Sequence, residues 1–378
     1  MFSSKWLIHF ARNYSKWIPE QKKRVLLSEN DYKSFISSLP VIMDKGVLDT
    51  KFLQTDELRG RVKRIAEYYM YGRKTIQGEM TILTHEFLRK PQEVKGELLN
   101  QQYVLAWCVE LAMIYILIMD DIEDGAKTRN GKPCWHLLPD VGSLAGNDSS
   151  MLRSFIFELL NQNFSGEMFV NIIKLFNEAF FSCNVGQYMD AVTSKRKNYN
   201  NFTMKHYESI ALYKYAYYSS VFPILSALIL SNKYNVESRK NVMAIFNDIG
   251  VWSQINNDFT DYFDEDTKTG KTGTDIQEGK CTWLAVTVLE RCSENQRKIF
   301  EESYGSWDPV KIKRIREIYE QTGVIDIYFR EEQTTYDRVV EKIKSLPEDT
   351  VPSPEFFQTM LDKYYPNVIC GKSFKSSN

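Results

Sequence analysis

The 378-residue chain is poor in the residues that pinch or break helices, with 18 glycines and 11 prolines. It also lacks any segment that alternates apolar and polar residues for long enough to compete as a sheet strand, which excludes a sheet as the main architecture. No CxxC pair occurs among its six cysteines (Cys108, Cys134, Cys183, Cys281, Cys292 and Cys370), and no HExxH spacing among its four histidines. Zinc ribbons and zinc hydrolases of that kind are thereby excluded, and the thiols read as reduced and buried in an intracellular protein. The net charge of −1 rules out a broad basic surface for nucleic acid. Nor is there an uninterrupted apolar run of the roughly 20 residues a membrane span needs. "YVLAWCVELAMIYILIM" (103–119) contains Glu110, and "YYSSVFPILSALILS" (217–231) contains Pro223. Both read as helices buried on nearly all sides of a helical core.

The first residues have no acid before Glu20, while Lys5, Arg12 and Lys16 are basic. That is the composition of a mitochondrial transit peptide, with a disordered basic tail as the alternative. Residues 1–25 are therefore set apart, and the protein is expected in mitochondria or cytoplasm. From 26 to 378 helical periodicity dominates, as in "VLAWCVELAMIYIL", "FVNIIKLFNEAFFSC" and "VMAIFNDIGVWSQINNDF". With no repeat and no linker, one large all-α domain is expected.

What is present is acid in two clusters. "IMDDIEDGAKTRNG" puts Asp120, Asp121 and Asp124 at the end of the apolar helix. Positions i and i+4 share a helix face, so Asp120 and Asp124 project together while Asp121 turns away. Parallel carboxylates repel unless a cation lies between them, and Mg²⁺ commonly bridges one or two carboxylates to phosphate oxygens. Alone, this cluster reads first as a solvated acidic helix end. Downstream, "NDFTDYFDEDTKTGKTGTDIQEGK" (257–280) repeats the spacing, with Asn257, Asp261 and Glu265 on one stripe. The asparagine oxygen is an acceptable hard ligand without charge. Lysines nearby, and Lys214 in "ALYKYAYY", fit a polyphosphate. Together these features suit ionisation of an allylic diphosphate, with metals and cations on the leaving group and an apolar aromatic pocket around the carbocation.

At these residues the sequence resembles the trans-prenyltransferases, with the animal farnesyl diphosphate synthases nearest. The likeness runs from about Glu67 onward and adds "CVELAMIY", "GQYMD", "YKYAYYS", "IGVWSQINND" and "TGKTGTDIQEGKCTWL" to the acid clusters. The resemblance implies an isoprenoid synthase fold with a central cavity, a homodimer, a prenyl diphosphate substrate and three Mg²⁺. It assigns Asp120, Asp121 and Asp124 to the first metal motif, and Asn257, Asp258 and Asp261 to the second. It gives the allylic diphosphate to Arg129, Lys214, Lys271 and Lys280, with Gln254 alongside. Tyr115 and Ile116 match positions that limit chain length, an aromatic there suiting a short prenyl chain.

The departures cluster in the subsite that the resemblance assigns to isopentenyl diphosphate. "YGRKTIQG" keeps Lys74 but has Gln77 for an arginine, Met113 stands at a polar position, and "TRNG" puts Asn130 where a second arginine belongs. Two lost arginines should cost the second diphosphate several kcal/mol, at ~1.5–3 per charge-assisted hydrogen bond. The ionising half stands and the condensing half has gone, a pattern that resembles the terpene synthases derived from farnesyl diphosphate synthases in insects. Asn257 gives "NDxxDxxxE", close to the second metal motif of terpene cyclases. The expected function is a Mg²⁺-dependent sesquiterpene synthase acting on farnesyl diphosphate, with geranyl diphosphate as a further substrate. A short-chain synthase that still condenses through Lys74 and Arg73 is the first alternative; a weakly catalytic partner subunit is the second.

Overall fold

The computed structural model describes residues 26–70, 73–89, 93–263 and 273–364. The basic stretch 1–25, Lys271 and Glu265 lie outside the described residues. The helices run in the order α1 (Glu29–Asp49), α2 (Asp56–Met70), α3 (Ile76–Leu88) and α4 (Glu97–Glu123), then α5 (Ala145–Asn163) and α6 (Gly166–Arg196). α7 (Met204–Ala211) runs without a break into a π-helical segment, Leu212–Val221, and on into α8 (Phe222–Leu230). Next come α9 (Val236–Phe263), the single turn α10 (Asp275–Glu278), α11 (Trp283–Leu289) and α12 (Glu294–Ser303). α13 (Pro309–Gln321), α14 (Val324–Lys344) and α15 (Pro354–Tyr364) complete the order. The strands among the described residues are a two-residue hairpin, Thr128–Arg129 with Lys132–Pro133.

Helix starts are written in the sequence. The side chains of Ser28, Thr203, Thr282 and Asp308 each accept a hydrogen bond from a backbone N–H of the first turn they precede. Ser293 and Gln296 form a reciprocal capping box. Two apolar clusters hold the helices. The larger surrounds α4 and includes Trp107, Phe176, Phe222 and Phe246. The smaller joins α7 and the end of α9 to α11–α14 through Phe259, Trp283, Phe300 and Tyr328. α9 belongs to both, its Val242–Trp252 stretch in the first and Ile255–Tyr262 in the second. A single rigid element thus carries the second acid motif out of the main core.

α4 has the length and hydropathy of a membrane span, yet 83% of its most apolar window is buried inside the protein. Glu110 at its middle is fully buried. Its Oε1 accepts from Gly78 N at 2.7 Å, and its Oε2 lies 3.1 Å from Nη2 of Arg73. Burial pushes its pKa up, and Arg73 with the backbone N–H groups of Gly78 and Gln77 offsets only part of that.

Glu332 on α14 has no such partner acting on its titration, and burial alone pushes it up to about 7. Its folded pKa therefore lies above the ordinary glutamate value. Folding favours the protonated form, so the stability that Glu332 contributes is present at low pH and lost as pH rises through about 7. Glu332→Gln should accordingly raise the unfolding free energy at pH 8 by up to ~3 kcal/mol and change it little at pH 4. Chemical denaturation at the two pH values checks this; an equal effect at both would contradict it.

Candidate active site

α4 ends in carboxylates, the wrong charge for a helix C-terminus, where the backbone dipole already presents partial negative charge. The chain answers with a hairpin. Asn130 and Gly131 both adopt positive φ, 53° and 73°, the two left-handed positions of a tight turn for which Asn-Gly is suited. The turn sends Arg129 back over α4. Its Nε and Nη2 donate to Asp121 Oδ1 at 2.9 and 2.6 Å, and Nη2 donates to Asp120 Oδ2 at 3.0 Å. Asp121 is fully buried, with Tyr69 OH donating to its other oxygen at 3.3 Å.

A second set of cations comes from the other side. Lys214, in the π-helical segment, donates to Asp190 Oδ2 at 2.6 Å and stands 3.4 Å from Asp120 Oδ1. Lys280, just after α10, donates to Asp124 Oδ1 at 2.8 Å and to Asp190 Oδ2 at 3.1 Å. Asp190 is thus the joint between two lysines 66 positions apart in sequence (280 − 214). Burial alone would raise its pKa, but Lys214 and Lys280 outweigh burial and hold it below the usual carboxylate range. The reverse holds for the cations: burial pulls Lys214 and Lys280 down, while the aspartates more than offset it and keep both charged. Asp190 was not singled out from sequence, although "GQYMD" contains it; its one legible signal is its place on the α6 face that carries Gly186, one turn earlier.

The second motif divides by face. Asn257 is exposed and Asp261 partly buried, with Asp261 Oδ2 accepting from Asp275 N at 3.1 Å. Asp258 turns inward: its Oδ1 accepts from Gln254 Nε2 at 2.7 Å and its Oδ2 from Trp283 N at 2.9 Å. Burial pushes it up to about 7. Asp121 and Asp258, expected on metal, each have both oxygens accepting hydrogen bonds from protein donors. Gln254, expected beside the substrate, is the side chain that donates to Asp258. Tyr115 and Ile116 are buried, with Tyr115 edge-on to Phe180 at 5.0 Å. The residue expected at the pocket floor thus packs into a cluster of aromatic rings with Phe157, Phe176 and Phe180. A surface groove of about 150 Å³ bounded by Tyr188, Thr193, Arg196 and His206 lies toward the far end of α6 and contains none of the predicted site residues.

The residues fit magnesium. Asp120 and Asp124 are accessible, at 22% and 19% side-chain exposure, and with Asn257 and Asp261 they offer hard oxygen donors. Among the described residues no three acidic, histidine or cysteine side chains converge tightly enough to hold an ion alone. Mg²⁺ commonly takes one or two carboxylates and completes its shell with phosphate and water, so the sparse donor set suits it.

Comparison with known proteins agrees with this geometry. Residues 59–322 match the polyprenyl synthetase family. The farnesyl pyrophosphate synthase of Nezara viridula is 33% identical over 341 residues, covering 90% of this chain and 83% of that protein. A chloroplastic monoterpene synthase of Artemisia spiciformis is 34% identical over 342 residues, covering 90% and 86%. Among solved structures, T. brucei farnesyl diphosphate synthase superposes with a TM-score of 0.80 at 28% identity, over 89% of this chain and 99% of that one. The architecture is the all-α isoprenyl diphosphate synthase fold.

Asp190→Asn should leave two buried ammonium groups short of an anion and lower the unfolding free energy by roughly 3 kcal/mol. Inorganic diphosphate with Mg²⁺ should then raise the variant's melting temperature by more than that of the wild type, because the added anion takes over the lysines. Equal shifts in the two proteins would mean that Asp190 does not organise them.

Proposed function

The chain belongs to the polyprenyl synthetase family, and on that premise we propose that it is a Mg²⁺-dependent terpene synthase. It ionises an allylic prenyl diphosphate, farnesyl first and geranyl as a further substrate, and closes the carbocation chemistry without a second diphosphate. Asp120, Asp124, Asn257 and Asp261 would hold magnesium, which when bound neutralises charge on the departing diphosphate. Arg129, Lys214 and Lys280 pair with diphosphate oxygens in place of the carboxylates they now hold. The apolar wall around Tyr115 and Phe180 keeps water from the cation. A homodimer is expected from the family.

The observation that carries the terpene-synthase step is the fate of Arg73. It is the cation that could replace the arginine absent at position 77, and it is turned to the fully buried Glu110, 3.1 Å away. Gln77, whose Oε1 is 3.5 Å from Arg73 Nη2, is buried and uncharged, as is Met113. That placement of Arg73 on an internal carboxylate supports the reading that it does not stand in for the missing arginine. Asn130 has a separate rationale: the left-handed turn that aims Arg129 suits asparagine.

A second reading is a short-chain isoprenyl diphosphate synthase. The names of the relatives favour it over the first, since most of those described are farnesyl pyrophosphate synthases from insects, plants and a mammal. The product decides. With Mg²⁺ and farnesyl diphosphate alone, the purified chain should release a sesquiterpene, detected by gas chromatography, and chelation should abolish it. Asp120→Ala or Asp124→Ala should cut the rate by about 10²-fold or more. With geranyl and isopentenyl diphosphates it should form little farnesyl diphosphate. Gln77→Arg, Met113→Gln and Asn130→Arg together should recover some condensation and single changes less, because groups sharing one ligand are coupled. Efficient condensation by the unaltered chain would overturn the first reading in favour of the second.

A further inference from the structure

Ten consecutive residues, Leu212–Val221, are wound as a π-helix. Such runs are rare and usually reduced to a single turn, because the wider i→i+5 spiral packs its own backbone poorly. This one is held from outside. One face of α6 grips residue 214 at three successive places. Cys183 Sγ donates to Lys214 O at 3.6 Å, with Ser182 Oγ donating to the neighbouring Tyr213 O at 3.2 Å. One turn on, Gly186 lies directly against the backbone of the same residue. One turn further, Asp190 receives the Lys214 ammonium at 2.6 Å.

The contact at Gly186 leaves no room for a side chain. A Cβ there would stand 2.0 Å from Lys214 N, 2.4 Å from its Cα and 2.6 Å from Tyr213 C. All three atoms are backbone, so no rotamer change relieves the clash. On the opposite side, Gly250 of α9 meets Ala216 in the same way, its Cβ 2.4 Å from the alanine Cβ and 2.6 Å from its Cα. The π-helical segment is therefore clasped between two helices at two glycines. Bringing the 2.0 Å contact out to an ordinary 3.4 Å would displace the Lys214 backbone by 1.4 Å. The Lys214 ammonium sits 3.4 Å from Asp120 and has no such slack.

We infer that Gly186 is a positioning residue for Lys214: by admitting the π-helical backbone against α6, it sets where that ammonium meets the diphosphate. The inference rests on Lys214 being a diphosphate ligand. It separates Gly186 from a glycine that merely packs, because its effect must travel through the lysine.

The test is a double-mutant cycle on the full chain, read by calorimetric titration of inorganic diphosphate in the presence of Mg²⁺. Lys214→Ala should weaken binding by about tenfold or more. Gly186→Ala should weaken it comparably in the wild-type background, and by less than about twofold when Lys214 is already alanine. Ser182→Ala with Cys183→Ala loosens the same grip while adding no volume, so it remains informative if Gly186→Ala does not fold. It should weaken binding by about threefold, again only when Lys214 is present. Gly46→Ala, whose Cβ would lie 2.3 Å from a Leu159 methyl group, is the steric control: it should lower the melting temperature and leave diphosphate affinity unchanged. Losses of the same size in both backgrounds, or no loss in the wild-type background, would overturn the inference while leaving the proposed function standing. Absence of diphosphate binding by the wild type would overturn both.

Discussion

Four carboxylates, Asp120, Asp121, Asp124 and Asp190, are gathered where α4 ends, and three cations, Arg129, Lys214 and Lys280, hold them there. Without the cations the acids would repel one another and the helix terminus together. The cations arrive from a hairpin, a π-helical segment and a single helical turn, elements far apart in sequence. Satisfying this one cluster therefore fixes how those elements are arranged around α4. The braces are specific. Tyr304 OH donates to Lys280 O at 2.9 Å, and Trp283 N donates to Asp258, which ties the lysine's segment to α9 and the second motif.

The same balance explains the division of labour among the aspartates. Asp121 and Asp258 are buried, and they pair with Arg129 and with the backbone N–H at the α11 start. Asp120 and Asp124 keep partial access to solvent and are the ones paired to cations that an anionic ligand can draw away. With magnesium on the carboxylates, a diphosphate would find the three cations already charged and pointed at it. Little reorganisation is then needed at the moment charge develops on the leaving group.

Much of this is legible in the chain. Apolar spacing of three and four gives the helices, and the i, i+4 rule brings Asp120 and Asp124 together while turning Asp121 aside. Glu110 marks the apolar helix as a core element, and its partner Arg73 explains how it is tolerated. Other features depend on contacts that no local pattern announces. Asp190 serves two lysines that only tertiary packing brings together. Asp258 and Gln254 are claimed by each other and by a backbone N–H 25 positions away. The π-helical winding of 212–221 has no periodicity of its own in the sequence; it packs against two glycines on neighbouring helices. The expectation that Tyr115 floors a pocket came from the family likeness, and the packing of its ring edge-on to Phe180 is seen only in the structure.

A crystal structure of the full chain grown with Mg²⁺ and inorganic diphosphate tests most directly whether the carboxylate–cation cluster is a magnesium diphosphate site. Asp120 and Asp124 should be found on metal, with Lys214, Lys280 and Arg129 donating to diphosphate oxygens. Diphosphate bound elsewhere, with the three cations still paired to the aspartates as they are here, would contradict it.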